Sequence, residues 1–411
     1  MSHPARSSRW WLAVLALGFS SACAPAASPP APTSAPPAAQ AAPTTAPAAG
    51  QVAATSAPAA GQPTVAPAAQ ATPAAAASTP QVLAAGAPPD QAAASCTGPL
   101  RKITLGVAVA PPNVVHTSPF VARALGFFAK RCIDANIVQF EGGLSQTNLT
   151  AVAQGAAMGP LNESAIGSGL KGKQVWGMAP KLPQAYMVGE NIKTAADLKG
   201  KRLSAAGGGV GSFNWVMGRE ILKTAGLTVD DVQFISQGTA GRLPGLVSGQ
   251  LDGVALHPED VYLAQKQKPG LHVLANLADM LPLYFFNAYG VSDDFLANDR
   301  ALVRDTVASM IEANRAIYQD KARAVPIMMQ ATEKPQDAVE FAYDYLTRNC
   351  IWSVNTGYKP EKTAWTVDLA VSNGDIPSDK KPAYEQVVAQ SLGDEALASV
   401  GGPTSINGCS D

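Results

Sequence analysis

Short apolar runs alternate with amphipathic stretches of helical period from residue 96 onward. Such alternation is typical of α/β proteins, in which each strand of a parallel sheet is followed by a helix. The first series predicts, in chain order, strand Ile103–Val107, helix Pro119–Lys130, strand Ile137–Phe140, helix Gln146–Gln154 and strand Gln174–Met178. We therefore expect this part of the chain to form one α/β unit.

The pattern restarts after residue 193. The second series predicts, in chain order, strand Arg202–Ala205, helix Ser212–Thr224, strand Val232–Ile235, helix Gly241–Ser248 and strand Gly253–Ala255. A pattern that starts a second time indicates two lobes. We place residues 96–190 and 284–411 in lobe 1 and residues 191–283 in lobe 2.

The last third of the chain is predicted to be mostly helical. An apolar run at Leu283–Val291 predicts a strand that returns to lobe 1. Four amphipathic stretches then predict helices at Arg300–Tyr318, Ala322–Ala331, Pro335–Arg348 and Pro360–Val371. The chain thus crosses twice between two doubly wound α/β lobes, which predicts a two-strand hinge beside a cleft. Open α/β sheets bind ligands outside the carboxyl ends of their strands, so the cleft loops are the candidate site.

The first 95 residues differ from the rest in composition. Arg6 and Arg9 precede the apolar run Trp10–Phe19, and small residues then lead to Cys23, as in an export signal. A run of small residues that ends in cysteine resembles a lipoprotein signal. Residues 1–23 are therefore predicted to be a signal peptide with the lipid on Cys23, and ordinary cleavage nearby is the alternative. Residues 24–95 hold nearly half of the 33 prolines and a single charged residue, Asp90, which predicts a disordered linker.

Charge and the length of apolar runs exclude two classes of protein. The chain has 30 basic and 31 acidic residues and a net charge of −1, so it lacks the basic excess of a nucleic-acid-binding protein. No apolar run reaches the roughly 18 to 20 residues that are needed to span a bilayer. We expect an extracytoplasmic protein that its N-terminal lipid anchors to the cell membrane.

The cysteines predict two disulfides. Apart from Cys23 there are four, an even number in a chain that is expected to be exported. Four cysteines allow three pairings. Cys96 and Cys132 each precede one of two strands that we expect to be parallel neighbours, so we pair them with each other. Cys350, at a helix end, is then left with Cys409 near residue 411. Free buried thiols are the alternative.

The glycine-rich turn at residues 207–212 is the strongest single indication of a site. It brings bare backbone amides and a helix N-terminus to the cleft, but it lacks the spacings of dinucleotide and P-loop sites. Simple capping of the helix by Ser212 is the alternative. A similar turn follows one unit later, where Arg242 suits a carboxylate or sulfonate. The candidate ligand-binding residues are Asn113, His116, Asn162, Glu163, Gly211, Ser212, Phe213, Asn214, Thr239, Arg242, His257, Glu259 and Tyr284.

Motifs of catalysis and of metal binding are missing from the sequence. GxSxG, HExxH, CxxC and HxxxH spacings do not occur, and the four histidines are scattered. We therefore predict no catalytic residue, metal or cofactor. An exported enzyme on the same fold is an alternative, and it would need a base such as His116 or His257.

Several segments together resemble one known family. ITLGV from Ile103 and SPFVARALGFFAK from Ser118 are similar to the opening of substrate-binding proteins of ABC importers, in the SsuA-like group for nitrate, sulfonates, taurine and thiamine precursors. AADLKGKR from Ala195 and LVSGQLDGV from Leu246 continue the likeness in the same order. The resemblance implies a two-lobed periplasmic-binding-protein fold, type II-like, whose lobes close on a small molecule. It also implies a membrane permease as partner, and we expect a monomer.

The chain departs from that family at two points. Members usually carry Gly-Glu/Asp-Val-Asp where this chain has GAAMGP from Gly155. The cysteine cluster of the fungal enzymes that make the thiamine pyrimidine is also missing, which argues against that catalytic branch. Aromatic residues in the candidate loops favour a heteroaromatic vitamin or vitamin precursor, such as a thiamine pyrimidine or a flavin. A sulfonate, nitrate or another small anion, held by the glycine-turn amides and Arg242, is the alternative.

Overall fold

The structure is a computed structural model that describes residues 96–139, 157–206 and 209–411. The predicted signal peptide, linker and lipidation site, and the predicted helix at Gln146–Gln154, lie outside the described residues. The ten strands are β1 (Arg101–Val107), β2 (Ile133–Gln139), β3 (Ala157–Pro160), β4 (Gly172–Ala179), β5 (Ala185–Val188), β6 (Arg202–Ser204), β7 (Gln233–Ile235), β8 (Gly253–Leu256), β9 (His272–Asn276) and β10 (Asn287–Ser292).

These strands form two five-stranded sheets, each with helices around it, so the predicted α/β class with two sheets is confirmed. The first sheet has the order β2-β1-β3-β10-β4, and the second has the order β7-β6-β8-β5-β9. In the first, β1 is parallel to β2 and β3, whereas β10 is antiparallel to β3 and β4. In the second, β6 is parallel to β7 and β8, whereas β5 is antiparallel to β8 and β9. Each sheet therefore contains one antiparallel strand.

The predicted return strand is confirmed, because β10 pairs in the first sheet. It begins at Asn287 rather than at Leu283, since residues 281–283 form a turn before it. The lobe boundaries themselves stay a proposal, and β5, which precedes residue 191, pairs in the second sheet. The short strands β3, β5 and β9 were not among the predicted elements.

The helices are α1 (Ser118–Ala124), α2 (Glu163–Gly167), α3 (Phe213–Lys223), α4 (Arg242–Ser248), α5 (Pro258–Gln267), α6 (Leu277–Met280), α7 (Asp293–Asn298), α8 (Arg300–Gln319), α9 (Lys321–Thr332), α10 (Gln336–Arg348), α11 (Pro360–Ser372), α12 (Tyr384–Val387) and α13 (Gln390–Ser399). Helices α8 to α11 confirm the helical C-terminal third. The predicted helix to Lys130 ends at Ala124 instead, because Gly126 takes a positive φ of 78°.

The core of the first sheet holds the loop that follows β1. Trp352 is 1% exposed, and its indole N–H donates to the carbonyl of Val115 at 2.9 Å. The short 3-10 helix Val114–His116 is buried throughout. A large indole that is buried and hydrogen-bonded fixes the backbone to which it donates. His116 is therefore carried by a buried loop whose backbone is hydrogen-bonded to Trp352.

Both predicted cysteine pairs lie at disulfide distance. The Cα atoms of Cys96 and Cys132 are 5.4 Å apart, and those of Cys350 and Cys409 are 5.3 Å apart. Cys132 directly precedes β2 and Cys96 lies shortly before β1, and the two strands pair in parallel as the pairing argument requires. Formation of the two bonds in solution stays a prediction. Of the helices in the described ranges, none combines the length and apolar character that crossing a membrane requires.

Candidate functional site

A cavity opens where the two sheets face each other, with about 430 Å³ of empty space including its solvent mouth. Its walls follow the ends of strands: residues after β1, β6 and β8 and the first residue of β10 all reach it. This is the position at which open α/β sheets bind ligands. The lining residues are Ala108, Val109, His116, Gln184, Ala206, Phe213, Asn214, Thr239, Arg242, His257, Phe286 and Asn287.

His116 enters the cavity from the first sheet. The amide nitrogen of Asn287 lies 3.4 Å from its Nε2 atom, while its Nδ1 atom is buried without a partner. Burial, with a smaller effect from Arg242, lowers the pKa of His116 from 6.5 to about 3. The ring is therefore neutral at physiological pH.

His257 reaches the cavity from the second sheet, as the residue that precedes α5. The amide nitrogen of Gln184 lies 3.2 Å from its Nε2 atom, and its Nδ1 atom is likewise buried without a partner. Burial lowers its pKa well below 6.5, and His116, Arg242 and Lys334 lower it further. The centroids of the two histidine rings are 5.3 Å apart, edge to face. Two neutral imidazoles from opposite sheets thus meet at the cavity.

Phe286 and Phe213 supply an aromatic wall. The ring of Phe286 lies 6.0 Å from that of His116 and 6.1 Å from that of His257, centroid to centroid. Phe213, the first residue of α3, meets Phe286 at 5.6 Å in an edge-to-face arrangement. Such ring separations are those of favourable aromatic contacts. The wall therefore suits a flat apolar surface on a ligand.

A polar network joins the two sides below the cavity. Arg242 donates to the Thr239 carbonyl and to Asn113 Oδ1, both at 2.9 Å. Asn113 Nδ2 donates to Glu259 Oε1 at 2.7 Å, and the backbone N–H of Val114 donates to the same oxygen at 3.1 Å. Burial, together with the charge of Asp260, raises the pKa of Glu259, which is fully buried. These contacts place predicted candidates from both lobes in one network.

Four polar atoms of the lining residues are buried without a hydrogen-bond partner. Each belongs to a side chain that is at most 4% exposed. They are His116 Nδ1, His257 Nδ1, Gln184 Oε1 and Asn287 Oδ1. Buried polar atoms are normally paired, so an unpaired set around one cavity indicates capacity for a polar ligand.

The thirteen predicted residues divide into three groups. Six line the cavity, namely His116, Phe213, Asn214, Thr239, Arg242 and His257. Asn113 and Glu259 lie in the network beneath it. Gly211, Ser212, Asn162, Glu163 and Tyr284 lie outside its lining. Their role in ligand binding stays a prediction.

Local contacts explain why three of these outer residues point elsewhere. Asn162 accepts from the Ala165 N–H at 2.9 Å and so caps α2. Ser212 accepts from the Trp215 N–H at 3.3 Å, which is the capping alternative considered for it. Glu163 accepts from Gln174 at 3.1 Å, and burial raises its pKa to about 7.

The sequence analysis missed Gln184 and Asn287, which orient the two histidines. Gln184 directly precedes β5, and Asn287 begins β10. The sequence signal for either residue is a polar side chain just before an apolar strand or at its first position, and this signal alone does not identify a binding site. Within the described ranges, no group of three or more histidine, cysteine or acidic residues could hold a metal ion.

Comparisons with known proteins agree with this architecture. A family model described as NMT1/THI5 like matches residues 113–324, slightly more than half of the chain. A provisionally named binding protein of Brucella abortus is 27% identical over 202 residues, which are 47% of this chain and 60% of that protein. The chain thus aligns with less than two thirds of that relative.

Solved structures with the same fold have low sequence identity. The alkanesulfonate-binding protein SsuA of Xanthomonas axonopodis, bound to MOPS, is 18% identical over 72% of this chain and 99% of its own, with a TM-score of 0.55. The nitrate-binding protein NrtA of Synechocystis is 14% identical over 73% and 89%, with a TM-score of 0.58. The desulfurization enzyme DszB is 16% identical over 72% and 99%, with a TM-score of 0.52. At this identity they are evidence of a shared fold.

Proposed function

The chain belongs to the NMT1/THI5-like family, and we propose that it is the substrate-binding protein of an ABC importer. It captures a small organic nutrient between its lobes and delivers it to a membrane permease. The observation that carries the proposal is the set of four unpartnered polar atoms around one cavity, two from each side. Closure of two lobes around a ligand gives each of those atoms a partner.

The favoured ligand is a heteroaromatic vitamin or vitamin precursor, such as a thiamine pyrimidine or a flavin. Phe213 and Phe286 offer faces for stacking, and the histidines and amides offer hydrogen bonds. A second candidate is a sulfonate, nitrate or another small anion. The cation of Arg242 at the cavity favours it.

A binding role accounts for the cavity better than catalysis does. The lining residues include no cysteine and no carboxylate. A general base works best when its pKa lies near the working pH. The pKa of about 3 that burial gives His116 is far from neutrality. An exported enzyme on this fold, the remaining alternative, would have to draw on other groups.

The N-terminal region completes the proposal. A lipid on Cys23 would anchor the protein outside the cytoplasm, and residues 24–95 would act as a tether that lets the folded part reach its permease. The tether's composition, rich in proline and alanine, supports an extended chain. Mass spectrometry of the membrane-extracted protein checks this directly, because lipidation at Cys23 adds a diacylglycerol mass to the mature N-terminus.

A thermal-shift screen tests the proposed function. The purified protein is unfolded and refolded to remove bound ligand, and is then screened against pyrimidines, flavins, sulfonates and nitrate. A true ligand at about 100 times its Kd adds about 2.7 kcal/mol to the free energy of unfolding and raises Tm by several degrees. A shift with a ring compound supports the favoured ligand, and a shift only with anions supports the second candidate. No shift with any compound would contradict the binding role.

A further inference from the structure

Helix α3 meets the turn that follows α11 through a two-pronged ion pair. Arg219 donates from both terminal guanidinium nitrogens to Asp375, at 3.0 Å to Oδ1 and at 2.7 Å to Oδ2. Along the chain α3 lies between β6 and β7 of the second sheet, whereas α11 follows β10 of the first sheet. A pair of this geometry is among the stronger kinds of hydrogen-bonded contact. It joins elements that belong to different sheets.

Three further side chains extend this contact. Asn373 Nδ2 donates to Glu220 Oε1 at 2.9 Å, and Lys223 Nζ donates to Asn373 Oδ1. Lys223 also donates to Glu220 Oε1 at 3.1 Å within α3. We call Arg219, Glu220, Lys223, Asn373 and Asp375 the inter-sheet cluster. Its four hydrogen bonds between α3 and the turn all join side chains.

Packing fixes each half of the inter-sheet cluster to its own sheet. A Cβ atom on Gly218 of α3 would come within 2.9 Å of the Phe234 ring in β7, so the helix lies directly on the second sheet. On the other side Ile376 is fully buried, and a Cβ atom on Gly167 of α2 would come within 2.7 Å of it. Helix α2 follows β3 of the first sheet. Movement of one sheet relative to the other therefore changes the distance between the two halves.

Arg219 is held in position by its own helix. Its guanidinium carbon lies 4.7 Å from the centroid of the Trp215 ring, one turn earlier in α3, and its Nε donates to Glu220 at 3.3 Å. The side chain of Arg219 is 10% exposed and that of Asp375 is 28% exposed. A positioned, partly buried guanidinium loses less entropy on pairing than a free one. We therefore expect a stronger attraction than in an ordinary exposed ion pair.

We propose that the inter-sheet cluster is a charge latch, which opposes separation of the two lobes and weakens as ionic strength rises. In the closed protein the pair is partly buried, so dissolved ions screen it little. Separation of the lobes exposes both charges to solvent, where the screening length falls from about 30 Å at 0.01 M salt to about 3 Å at 1 M. Separation therefore costs less at high salt, and the balance shifts toward the open protein. This regulation lies beyond the proposed function, because it requires no ligand.

Carbodiimide crosslinking of the full-length protein tests the contact. The reagent joins an amine to a carboxylate only when the two side chains meet. Arg219→Lys supplies an amine beside Asp375, and Asn373→Asp separately supplies a carboxylate beside Lys223. The native pair of Lys321 and Asp344, at 2.6 Å between α9 and α10, is the matched control, because both helices follow β10.

Mass spectrometry reads out the link between α3 and the turn. We expect it in at least one variant at about 0.01 M salt, and at least about 2-fold less of it, relative to the control link, at about 1 M. A control link without a link between α3 and the turn in either variant would overturn the inference. A yield that salt does not change relative to the control would also overturn it.

Small-angle X-ray scattering tests whether the contact holds the lobes together. Arg219→Glu places like charges opposite each other and should raise the radius of gyration at low salt. The swap of Arg219→Glu with Asp375→Arg should return it to the wild-type value. Arg202→Glu breaks a two-pronged pair with Asp252 inside the second sheet, and as the matched control it should have no effect.

The wild type provides the same comparison without a substitution. Its radius of gyration should rise between about 0.01 M and about 1 M salt, with an unchanged far-ultraviolet circular dichroism spectrum. The same spectrum identifies any variant that has failed to fold. A wild-type radius that does not change with salt would overturn the inference. A folded Arg219→Glu variant with the wild-type radius, or an equal increase in the Arg202→Glu control, would also overturn it.

Discussion

Acid should destabilise this protein through its two buried histidines. In the folded protein both rings are neutral, and the pKa of His116 is lowered to about 3 by burial. In the unfolded chain a histidine has its usual pKa of about 6.5. Below pH 6.5 the unfolded chain therefore binds protons that the folded protein does not bind. The free energy of unfolding falls as the pH drops from 6.5 toward the folded-state pKa.

The magnitude follows from the size of the shift. His116 removes about 1.4 kcal/mol from the free energy of unfolding for every pH unit between 6.5 and its folded-state pKa. Between pH 7 and pH 5 the loss from His116 is about 2 kcal/mol, and His257 adds to it in the same direction. Glu163 acts in the opposite sense, because burial raises its pKa to about 7 and its folded form takes up a proton first. The total pH dependence therefore mixes both effects.

Single variants isolate the histidine contribution. Urea denaturation at pH 7 and pH 5 is compared for the wild type, His116→Gln and His257→Gln. All three proteins keep Glu163, so its contribution to the pH dependence of the free energy of unfolding is the same in each. His116→Gln should lose about 2 kcal/mol less than the wild type between the two pH values, and His257→Gln should also lose less than the wild type. His272→Gln, at a histidine outside the cavity, is the control for removing a ring elsewhere. The same pH dependence in the wild type and both cavity variants would refute the reasoning.

Three further predictions concern the scaffold of the site. Trp352→Phe removes the indole N–H that holds the Val115 carbonyl and should lower the free energy of unfolding by about 1 to 3 kcal/mol in urea denaturation, whereas an unchanged value would contradict that role. Glu259→Ala leaves the buried amide of Asn113 without one acceptor and should cost about 1 to 3 kcal/mol in the same assay, and a neutral result would contradict the network. Iodoacetamide should label none of the four cysteines after residue 95 until a reductant is added, and labelling without reductant would contradict the two disulfides.

Hydrophobic periodicity was enough to predict the two-sheet architecture. The helices α8 to α11 have 12 to 20 residues each, and they begin and end within about two residues of their predicted bounds. Strand length does not separate the predicted strands from the missed ones, because β6 and β7 have three residues and β8 has four, whereas the missed strands β3, β5 and β9 have four or five. Their existence depends on neighbouring strands that the sequence pattern does not identify.

Site residues in loops that follow predicted strands could be predicted from the sequence. Site residues whose role depends on a side-chain partner far away in the sequence could not. His116 and His257 were found because each lies in a loop beyond a predicted strand. Gln184 and Asn287 were missed because their importance comes from partners 73 and 171 residues away. Asn162 satisfied the same loop criterion as the histidines, but a local cap uses its side chain. Local sequence identifies polar loop residues without telling which of them the fold turns inward.

Hydrogen–deuterium exchange with a bound ligand tests the central claim most directly. The claim is that one small molecule is held between the two sheets by residues from both. Addition of the compound that gives the largest thermal shift should slow amide exchange in residues 114–117 and in residues 255–258 together, because the cavity histidines lie in those two segments. Protection of only one segment, or protection confined to a region away from the cavity, would contradict the claim.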